Sequence, residues 1–439
     1  MKAGVKEIVI TPDFPVLLAG FPEPKDRYSR AIHDDLYAHC FYFEAKGEEY
    51  CIVTLDMLCY PKWLVKNMRS YIEERAGIKK ENCLISTTHT HSGPEARAVP
   101  FYPEKEFEVM YPRYLDDMAR NVADALVEAK NTAFEAEIGI GKGYCGPEQN
   151  VGGNRRDRGG IADTGVFVIG IRDMEKNLRG AIVRYSLHPT FLGAENREIT
   201  CDYPGYIYKT LKNKYKNIVP AFQIGTAGDQ SPRFFRSGCT FEEAERVGTT
   251  IGNEAIRVLD EMEFSSDIEI KTYSADVVPV RKDIPTYEQA VKDLEDSEKE
   301  LQTAVDNNLD KGLVRSLECA VIGAKRMLGL ATIGKETVYS LNGHHPFEVY
   351  VMRIGEFAIV ALPTETFVTY GLKIQEFSPF KNTVVVTCAN GYGRGYICTP
   401  EAFEEGGYEA LGSLYTGENG DKLVACALEL LNVARGEMK

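Results

Sequence analysis

The 439-residue sequence has no excess of positive charge, no long apolar segment and no closely spaced pair of cysteines. Its 51 Lys and Arg against 65 Asp and Glu give a net charge of -14. This charge repels nucleic acid phosphates and anionic lipid headgroups, which argues against nucleic acid as a partner. No stretch approaches the roughly 18 apolar residues that a membrane span needs. The N-terminus also lacks the apolar core and small-residue cleavage site of a signal peptide.

The eleven cysteines are scattered, and no CxxC pair occurs. An odd number of cysteines, several of them inside apolar runs, is typical of buried free thiols in a reducing compartment. The apolar fraction of 44% and the charged fraction of 26% are ordinary for a globular protein. We therefore expect a folded cytoplasmic protein without a transmembrane segment.

Short apolar runs rich in β-branched residues alternate with longer segments of helical period. This pattern predicts an α/β fold, in which a layered mixed β-sheet core is flanked by helices. Helices are predicted over 62–76, 112–130, 242–261 and 420–435. The predicted strands end in polar or Gly-rich segments, and such strand ends are where an open α/β sheet usually carries its functional site.

The segment 286–330 departs from this alternation. It contains a charged helix, an "NNLDKG" turn and a second, more apolar helix, which predicts a helical hairpin inserted between strands. A solvated surface excursion is the favoured interpretation, while a lid or an oligomer contact stays open. Because no repeat or low-complexity linker interrupts the chain, residues 1–439 are predicted to form one domain. A homo-oligomer is neither required nor excluded.

Two of the seven histidines, His89 and His91 in "STTHTHSGPE", stand where a predicted strand gives way to a loop. If the strand runs through them, its period of two puts both side chains on one face. The two imidazoles could share a metal ion, or one could be a ligand and the other a proton carrier. Taken alone, the motif fits two structural histidines with backbone hydrogen bonds equally well.

Four further residues of ligand or nucleophile type follow predicted strands. They are His188 in "SLHPTFLG", Ser231 in "AGDQSPRF", Glu365 in "LPTETF" and Tyr396 in "GYGRGYICTPE". Each has a structural interpretation when taken singly, as a core histidine, a turn or cap residue, a helix N-terminal acid or a packed aromatic. Their repetition at strand ends favours a shared site.

Together these segments resemble the neutral, non-lysosomal ceramidases, which are zinc-dependent amidases that split ceramide into sphingosine and a fatty acid. The resemblance runs in order through the histidine motif, "GGNRR" and the four segments above, over roughly residues 1–415. It implies a zinc-dependent hydrolase of an N-acyl amide, with a role in lipid and specifically sphingolipid metabolism. The whole chain would be the catalytic domain, without the C-terminal immunoglobulin-like domain of secreted relatives.

The resemblance implies one zinc ion as the cofactor. The metal ligands that it implies are His89, His188, Glu365 and Tyr396. His91 would then lie beside the metal, while Ser231 matches a residue proposed as a nucleophile or as a polar group near the scissile amide. Arg155 and Tyr408 match residues that contact polar groups of the substrate. Tyr408 lies twelve residues after Tyr396, which is the family's spacing and favours Tyr396 over Tyr392 as the ligand.

Gly20 and Glu95 complete the predicted substrate-binding group. Glu95 and Ala96 stand where ceramidases commonly have small residues, often glycine, after Ser-Gly-Pro. A carboxylate near the entrance suits a polar or cationic substrate better than a lipid tail. The substrate is therefore expected to be a small-molecule or lipid-like amide, and ceramide itself is one candidate.

The predicted reaction is amide hydrolysis by a zinc-activated water, with Tyr396 and Arg155 stabilising the oxyanion and His91 protonating the leaving amine. An acyl-enzyme formed on Ser231 is the alternative within this mechanism. Three other functions stay open at this point. These are hydrolysis of a different small amide or ester, a metal-dependent lyase or isomerase that could act on a sugar-like substrate, and an inactive binding protein on the same fold.

Overall fold

The computed structural model describes residues 1–21, 24, 26–96, 110–336, 338, 346–393 and 395–436. The strands of these residues are β1 (Lys2–Val9), β2 (Ala31–Ile32), β3 (Tyr37–Ala45), β4 (Glu48–Leu55), β5 (Cys83–Thr87), β6 (Phe134–Tyr144), β7 (Gly153–Asn154), β8 (Gly165–Asp173), β9 (Leu178–Tyr185), β10 (Glu198–Ile199), β11 (Val219–Ile224), β12 (Gln230–Ser231), β13 (Phe264–Ser265), β14 (Ile270–Val277), β15 (Phe347–Ile354), β16 (Phe357–Ala361), β17 (Glu365–Thr366), β18 (Asn382–Val386) and β19 (Tyr396–Ile397).

The helices lie between these strands and after the last of them. They are α1 (Lys62–Ala76), α2 (Pro112–Asn131), α3 (Tyr203–Lys214), α4 (Phe241–Glu261), α5 (Tyr287–Asp306), α6 (Lys311–Ile333), α7 (Val368–Phe377), α8 (Pro400–Glu405), α9 (Tyr408–Gly412) and α10 (Glu418–Arg435). None of the helices in the described ranges is long and apolar enough to cross a membrane.

Two main sheets stack face to face. The larger has nine strands, with the order β11-β9-β8-β6-β1-β3-β4-β5 and β13 paired to β6, and the smaller has the order β14-β15-β16-β18. Helices α1 to α4 cover the outer face of the larger sheet, and α6, α7 and α10 cover the outer face of the smaller one. The resulting α/β/β/α layers confirm the predicted α/β fold with helices flanking a mixed sheet core.

The central strands are apolar at nearly every position because they are buried on both faces. In β3, Cys40 and Tyr42 pack towards the helices, whereas Phe41 and Phe43 pack towards the smaller sheet. A strand sends successive side chains to opposite faces, so one continuous apolar run supplies two cores.

Local signals place the helix ends close to their predicted positions. Helix α1 ends at Gly77, whose φ of 77° provides the left-handed C-cap that glycine adopts readily. Helix α2 carries Pro112 in its first turn. Helix α4 begins after Thr240, whose side chain accepts a hydrogen bond from the N–H of Glu243.

Helices α5 and α6 form the predicted hairpin between β14 and β15. Helix α5 buries Ala290 and Ala304 and is otherwise largely exposed, as a surface excursion would be. Helix α6 buries a face that includes Cys319, Gly323 and Leu330, and it packs against α9. The interpretation as a solvated excursion therefore holds for α5 and is wrong for α6.

Candidate metal centre and substrate cavity

Three parallel strand pairs supply the candidate site residues, each from the carboxyl ends of its strands. The pair β4 and β5 leads to His89, the pair β9 and β11 leads to His188 and Ser231, and the pair β16 and β18 leads to Glu365 and Tyr396. Carboxyl ends of parallel strands lie at the same edge of a sheet, so residues far apart in sequence converge there.

His89 lies two residues beyond the end of β5. Its φ of 65° is left-handed, and its backbone N–H donates to the carbonyl oxygen of Met57 at 2.9 Å. The prediction that one extended strand carries His89 and His91 on a shared face is therefore wrong. The two rings still meet, with centroids 5.2 Å apart, because the chain turns after Thr87.

His89 and His188 are anchored in the same way. The Nδ1 of His89 lies 2.7 Å from the carbonyl oxygen of Leu58, and the Nδ1 of His188 lies 3.0 Å from that of Gln230. A carbonyl oxygen only accepts, so each ring donates from Nδ1 and keeps its lone pair on Nε2. The two Nε2 atoms lie 3.4 and 3.3 Å from the same oxygen, Oε2 of Glu365.

The spacing of these three donor atoms fits a zinc ion. Tetrahedral bonds of about 2.0–2.1 Å put neighbouring ligand atoms roughly 3.3–3.4 Å apart, and the Nε2–Oε2 distances are 3.3 and 3.4 Å. The Nε2 of His89 is buried and makes no hydrogen bond within the described part of the chain. A cation is the partner that this arrangement fits best.

His91 is the third imidazole of the cluster, and its surroundings differ. Neither of its buried ring nitrogens has a hydrogen-bond partner among the described residues. Because a ligating histidine almost always donates its second ring N–H to an acceptor, His89 and His188 are better ligands than His91. Nitrogen atoms of the three rings lie within 4.8 Å of one another, so a three-histidine donor set is the alternative.

Burial and neighbouring charges shift the pKa values of His188, His91 and Glu365. Burial, assisted by the positive charge of Arg155, lowers the pKa of His188 to about 4. Burial also lowers the pKa of His91, as do His89 and His188 nearby. Burial alone would raise the pKa of Glu365, but His89 and His188 outweigh this effect and hold the pKa well below its usual value. Ionised carboxylates and neutral imidazoles are the forms in which such side chains bind metal.

Gly20 lies directly against the ring of His91. Its φ is 93°, and a Cβ built on it would lie 2.3 Å from the Nδ1 atom of His91. The buried Arg27 holds the same region, because its Nη1 donates to the carbonyl oxygens of Ala19 at 2.8 Å and His91 at 2.7 Å. Arg27 was not predicted, since its shortest hydrogen bonds go to backbone carbonyls that carry no side-chain signal.

Two tyrosines lie beside Glu365. The hydroxyl of Tyr392 donates to Oε1 of Glu365 at 2.6 Å. Tyr396 pairs with Glu365 in the parallel β17–β19 register, and its ring lies 5.3 Å from the Arg155 guanidinium and 5.6 Å from the ring of Tyr408. The two carboxylate oxygens therefore have separate surroundings: Oε1 meets a phenol and Oε2 meets two imidazoles.

Arg155 is buried in an ion pair that the sequence did not reveal. Its Nε lies 2.7 Å from Oε1 of Glu409, and its Nη2 donates to the carbonyl oxygen of Gly228 at 2.6 Å. Burial alone would lower the pKa of Arg155, but the attraction of Glu409 outweighs it and raises this pKa. Glu409 directly follows the predicted residue Tyr408, yet no motif marks it.

Ser231 lies in β12, opposite Gly153 of β7. Its Oγ accepts a hydrogen bond from the backbone N–H of Arg233 at 3.2 Å. Within the part of the chain that the structure describes, no imidazole nitrogen hydrogen-bonds to this hydroxyl. Ser231 thus lies near the cluster without a base in contact to activate it.

A cavity of about 700 Å³ opens beside the cluster. The predicted residues on its wall are Gly20, His91, Arg155, Ser231, Tyr396 and Tyr408. Arg315, Cys319 and Ile322 of α6 also line it, so the hairpin forms part of this wall. Glu95 is buried and lies outside the described lining, and its role at the entrance stays a prediction.

Comparison of the sequence with known families gives one match over more than half of the chain. Residues 4–250 match the model for neutral/alkaline non-lysosomal ceramidase, N-terminal. The chain is 26% identical over 268 residues to the neutral ceramidase of Drosophila melanogaster and 25% identical over 269 residues to that of Drosophila pseudoobscura pseudoobscura. Each alignment covers 56% of this chain but 38% of the relative, so the match spans well under half of these curated proteins.

Two solved structures share the fold. A structure described as ceramidase complexed with C2 has a TM-score of 0.74 at 17% identity, and the match covers all of this chain (100%) and 75% of that one. The neutral ceramidase from Pseudomonas aeruginosa has a TM-score of 0.74 at 20% identity, with coverage of 98% and 74%. This likeness in fold extends past residue 250, over the part that carries Glu365 and Tyr396.

Proposed function

The chain belongs to the neutral/alkaline non-lysosomal ceramidase family, and from this premise we propose that it hydrolyses an N-acyl amide bond at one zinc ion. The observation that carries the proposal is the convergence of two anchored imidazoles on a single carboxylate oxygen, at distances suited to zinc ligands. The proposed ligands are His89, His188, Glu365 and Tyr396.

A zinc ion bound there would polarise the amide carbonyl and lower the pKa of a water molecule towards about 7. Arg155, kept cationic by Glu409, lies beside Tyr396 and would stabilise negative charge that develops on the amide oxygen. His91 lines the cavity and would take the proton that the attacking water releases and pass it to the leaving nitrogen, which must not depart as an anion. These roles need the His91 ring to face the substrate, and Gly20 leaves the space for it.

Metal analysis of the purified protein tests the zinc site and the ligand assignment together. We expect one zinc ion per chain, lost in the variants His89→Ala and His188→Ala. His91→Ala should keep its zinc and lose hydrolysis, because the proposed role of His91 is proton transfer. His33→Ala is the matched control, since His33 bonds to Asp34 away from the cluster.

Two results would count against this assignment. If His91→Ala loses its metal together with the other two variants, the three-histidine donor set replaces the proposed ligands. If the wild-type protein binds no metal, the zinc-dependent reaction itself is excluded.

The nucleophile is a water molecule in this proposal, because no base among the described residues contacts the Ser231 hydroxyl. Ser231→Ala with zinc retained should therefore keep most of its activity, measured as kcat on an amide substrate. A near-complete loss of kcat with unchanged zinc content would favour an acyl-enzyme on Ser231.

There are two candidate substrates, and the compound that the protein cleaves decides between them. Ceramide is the first, and a smaller or more polar amide or ester is the second, favoured by the arginines on the cavity wall. Mass-spectrometric identification of the products from a panel of N-acyl amines, esters and glycosides separates these candidates. Products of elimination or isomerisation without hydrolysis would show that the hydrolase proposal is wrong.

A further inference from the structure

We propose that the substrate carries a carboxylate or a similar anion near the scissile amide and that Arg233 binds it on the cavity wall. The inference rests on the proposed amide hydrolysis and names the substrate class of that site. The supporting observations are the contacts of the Arg233 guanidinium and the charged residues around it.

Arg233 follows Ser231 by two residues and is half-buried in the cavity wall. Its Nη1 donates to the carbonyl oxygen of Arg155 at 3.2 Å and to Oγ of Ser316 at 3.0 Å, and its Nη2 lies 3.4 Å from Sγ of Cys319. These partners orient the guanidinium plane without offering a carboxylate. Within the described ranges, no carboxylate oxygen lies at ion-pair distance from Arg233.

Two other arginines on the same wall each have a carboxylate partner. Arg155 pairs with Glu409 at 2.7 Å, and Arg315 pairs with Glu318 at 2.6 Å. A guanidinium stays protonated at neutral pH. Arg233 is therefore a partly desolvated positive charge with no carboxylate of the described residues at ion-pair distance, and Glu409 attracts it only from farther away. Such a charge is costly unless something pairs with it, and the open cavity is where that partner can enter.

The acidic residues of the cavity lie elsewhere. Glu195 and Glu242 line it at exposed positions, where water solvates them. Arg236 adds a second positive charge to the cavity wall. Its Nη1 donates to the backbone carbonyl of Thr190, which does not neutralise that charge. The interior of the cavity is therefore more positive than its solvent-exposed side, which favours an anionic group that reaches inward.

The position of Arg233 sets where the anion lies on the substrate. Arg233 is next to Arg155, which contacts Tyr396, and its backbone N–H bonds to Ser231. An anion bound by this guanidinium is therefore close to the reacting amide. The planar fork of arginine matches a carboxylate in a bidentate manner, which makes a carboxylate on the amine part or on the acyl part the expected group.

Paired substrates test the inference and show whether the carboxylate lies on the amine part or on the acyl part of the substrate. N-Hexanoylglycine is compared with N-hexanoylglycinamide, and N-hexylsuccinamic acid with its neutral primary amide. We expect at least one acid to exceed its neutral counterpart in kcat/KM by about tenfold or more, the contribution of a hydrogen bond to a charged group. Arg233→Gln should remove this preference, whereas Arg257→Gln, an exposed arginine paired with Glu254 on α4, should keep it.

Binding measurements keep this test independent of hydrolysis. The same compounds are titrated calorimetrically into metal-depleted protein, where the acid should bind more tightly than the neutral amide in the wild type and not in Arg233→Gln. Acid-selective binding without hydrolysis of any amide would reject the proposed function and retain the anion site. Equal binding of acids and neutral amides by the wild type would overturn the inference.

A second variant covers the case in which Arg233→Gln does not fold. Arg233→Lys keeps a positive charge but loses the planar fork, so the preference for the acid should fall without vanishing. Circular dichroism and the melting temperature of each variant report whether it folds. An unchanged acid preference in a folded variant that lacks the guanidinium would overturn the inference.

Discussion

The position of the His91 ring depends on the missing side chain of Gly20. We predict that Gly20→Ala lowers kcat by about 100-fold, since displacement of a catalytic group by about 1 Å has effects of this size. The added Cβ would lie 2.3 Å from the ring, so the ring must move. Gly47→Ala is the matched control, because Gly47 has a similar φ of 84° and no atom within 4 Å of the new Cβ.

Both alanine variants pay the left-handed backbone cost of about 1–2 kcal/mol, which the melting temperature and urea unfolding report. Only Gly20→Ala also creates a clash with His91, so the difference in kcat between the two variants measures the effect of that clash. An equal loss of kcat in both variants would show that backbone strain, rather than the position of His91, is responsible.

The two tyrosines next to Glu365 are expected to differ in metal binding. Tyr396 is the proposed ligand, so Tyr396→Phe should weaken zinc affinity by about tenfold or more. Tyr392 is not a proposed ligand and donates a hydrogen bond to Oε1 of Glu365, so Tyr392→Phe should have a smaller effect. Zinc affinity is measured by competition with a chromophoric chelator. A larger loss in Tyr392→Phe would reverse the assignment that the spacing to Tyr408 favoured.

At this scale, the sequence predicts residue types better than backbone conformations. His188 and Glu365 could be found because each follows an apolar run directly, and the strands bring them together. The left-handed conformation of His89 could not be found, because it depends on the carbonyl of Met57 on another strand end. Glu409 was missed for the same reason: its partner Arg155 is brought to it by the fold.

At the level of elements, the contact between α6 and α9 positions one wall of the cavity. A Cβ on Gly323 would lie 3.1 Å from the carbonyl oxygen of Tyr408 and 3.1 Å from Cβ of Leu411. We predict that Gly323→Val pushes the helices apart, destabilises the fold by about 1–3 kcal/mol and raises KM more than it lowers kcat. Thr332→Val, at an exposed position of the same helix, should leave KM unchanged.

Steady-state kinetics on one amide substrate, with melting temperatures for both variants, checks this prediction. An unchanged KM in folded Gly323→Val would mean that the hairpin does not shape the substrate site.

The strands β1, β3 and β4 meet at a buried histidine that makes stability depend on pH. His39 lies 3.2 Å from Glu7 and 3.6 Å from Asp56. Burial alone would lower the pKa of His39, but the attraction of Asp56 and Glu7 outweighs it and raises this pKa. A raised folded pKa contributes stability that is fully present below the unfolded pKa, about 6.5, and is lost as pH rises through the folded value.

His39→Gln should therefore destabilise the protein more at about pH 5.5 than at about pH 9. Urea unfolding of wild type and variant at both pH values measures the difference in the free energy of unfolding. The same loss at both pH values would show that His39 acts through packing alone.

Element boundaries were predictable where a local signal exists, and element roles were not. Gly77 and Pro112 mark helix ends through their own backbone preferences, and the structure places α1 and α2 accordingly. The cavity-lining role of α6 depends on what lies across from it, on α9 and around Ser231, so hydrophobic periodicity could not reveal it.

At the scale of the whole molecule, the two sheets share one core and one site. The core between them joins residues of β3 and β9, such as Phe41 and Ile182, to residues of β15 and β18, such as Met352 and Val384. The proposed metal ligands are divided in the same way. His89 and His188 follow strands of the larger sheet, while Glu365 follows a strand of the smaller sheet.

This shared core predicts a single domain that unfolds in one cooperative transition. Fluorescence of Trp63 on α1 and hydrogen exchange of β16 should report the same midpoint in urea.

Zinc added to metal-depleted protein should raise that midpoint for both probes, because a ligand that binds only the folded state stabilises it by about 2.7 kcal/mol at 100 times its Kd. Glu365→Gln should abolish most of the zinc-dependent shift, since the carboxylate that joins both imidazoles is gone. Two separate transitions, or a zinc shift seen by one probe alone, would show that the two sheets belong to independent folding units.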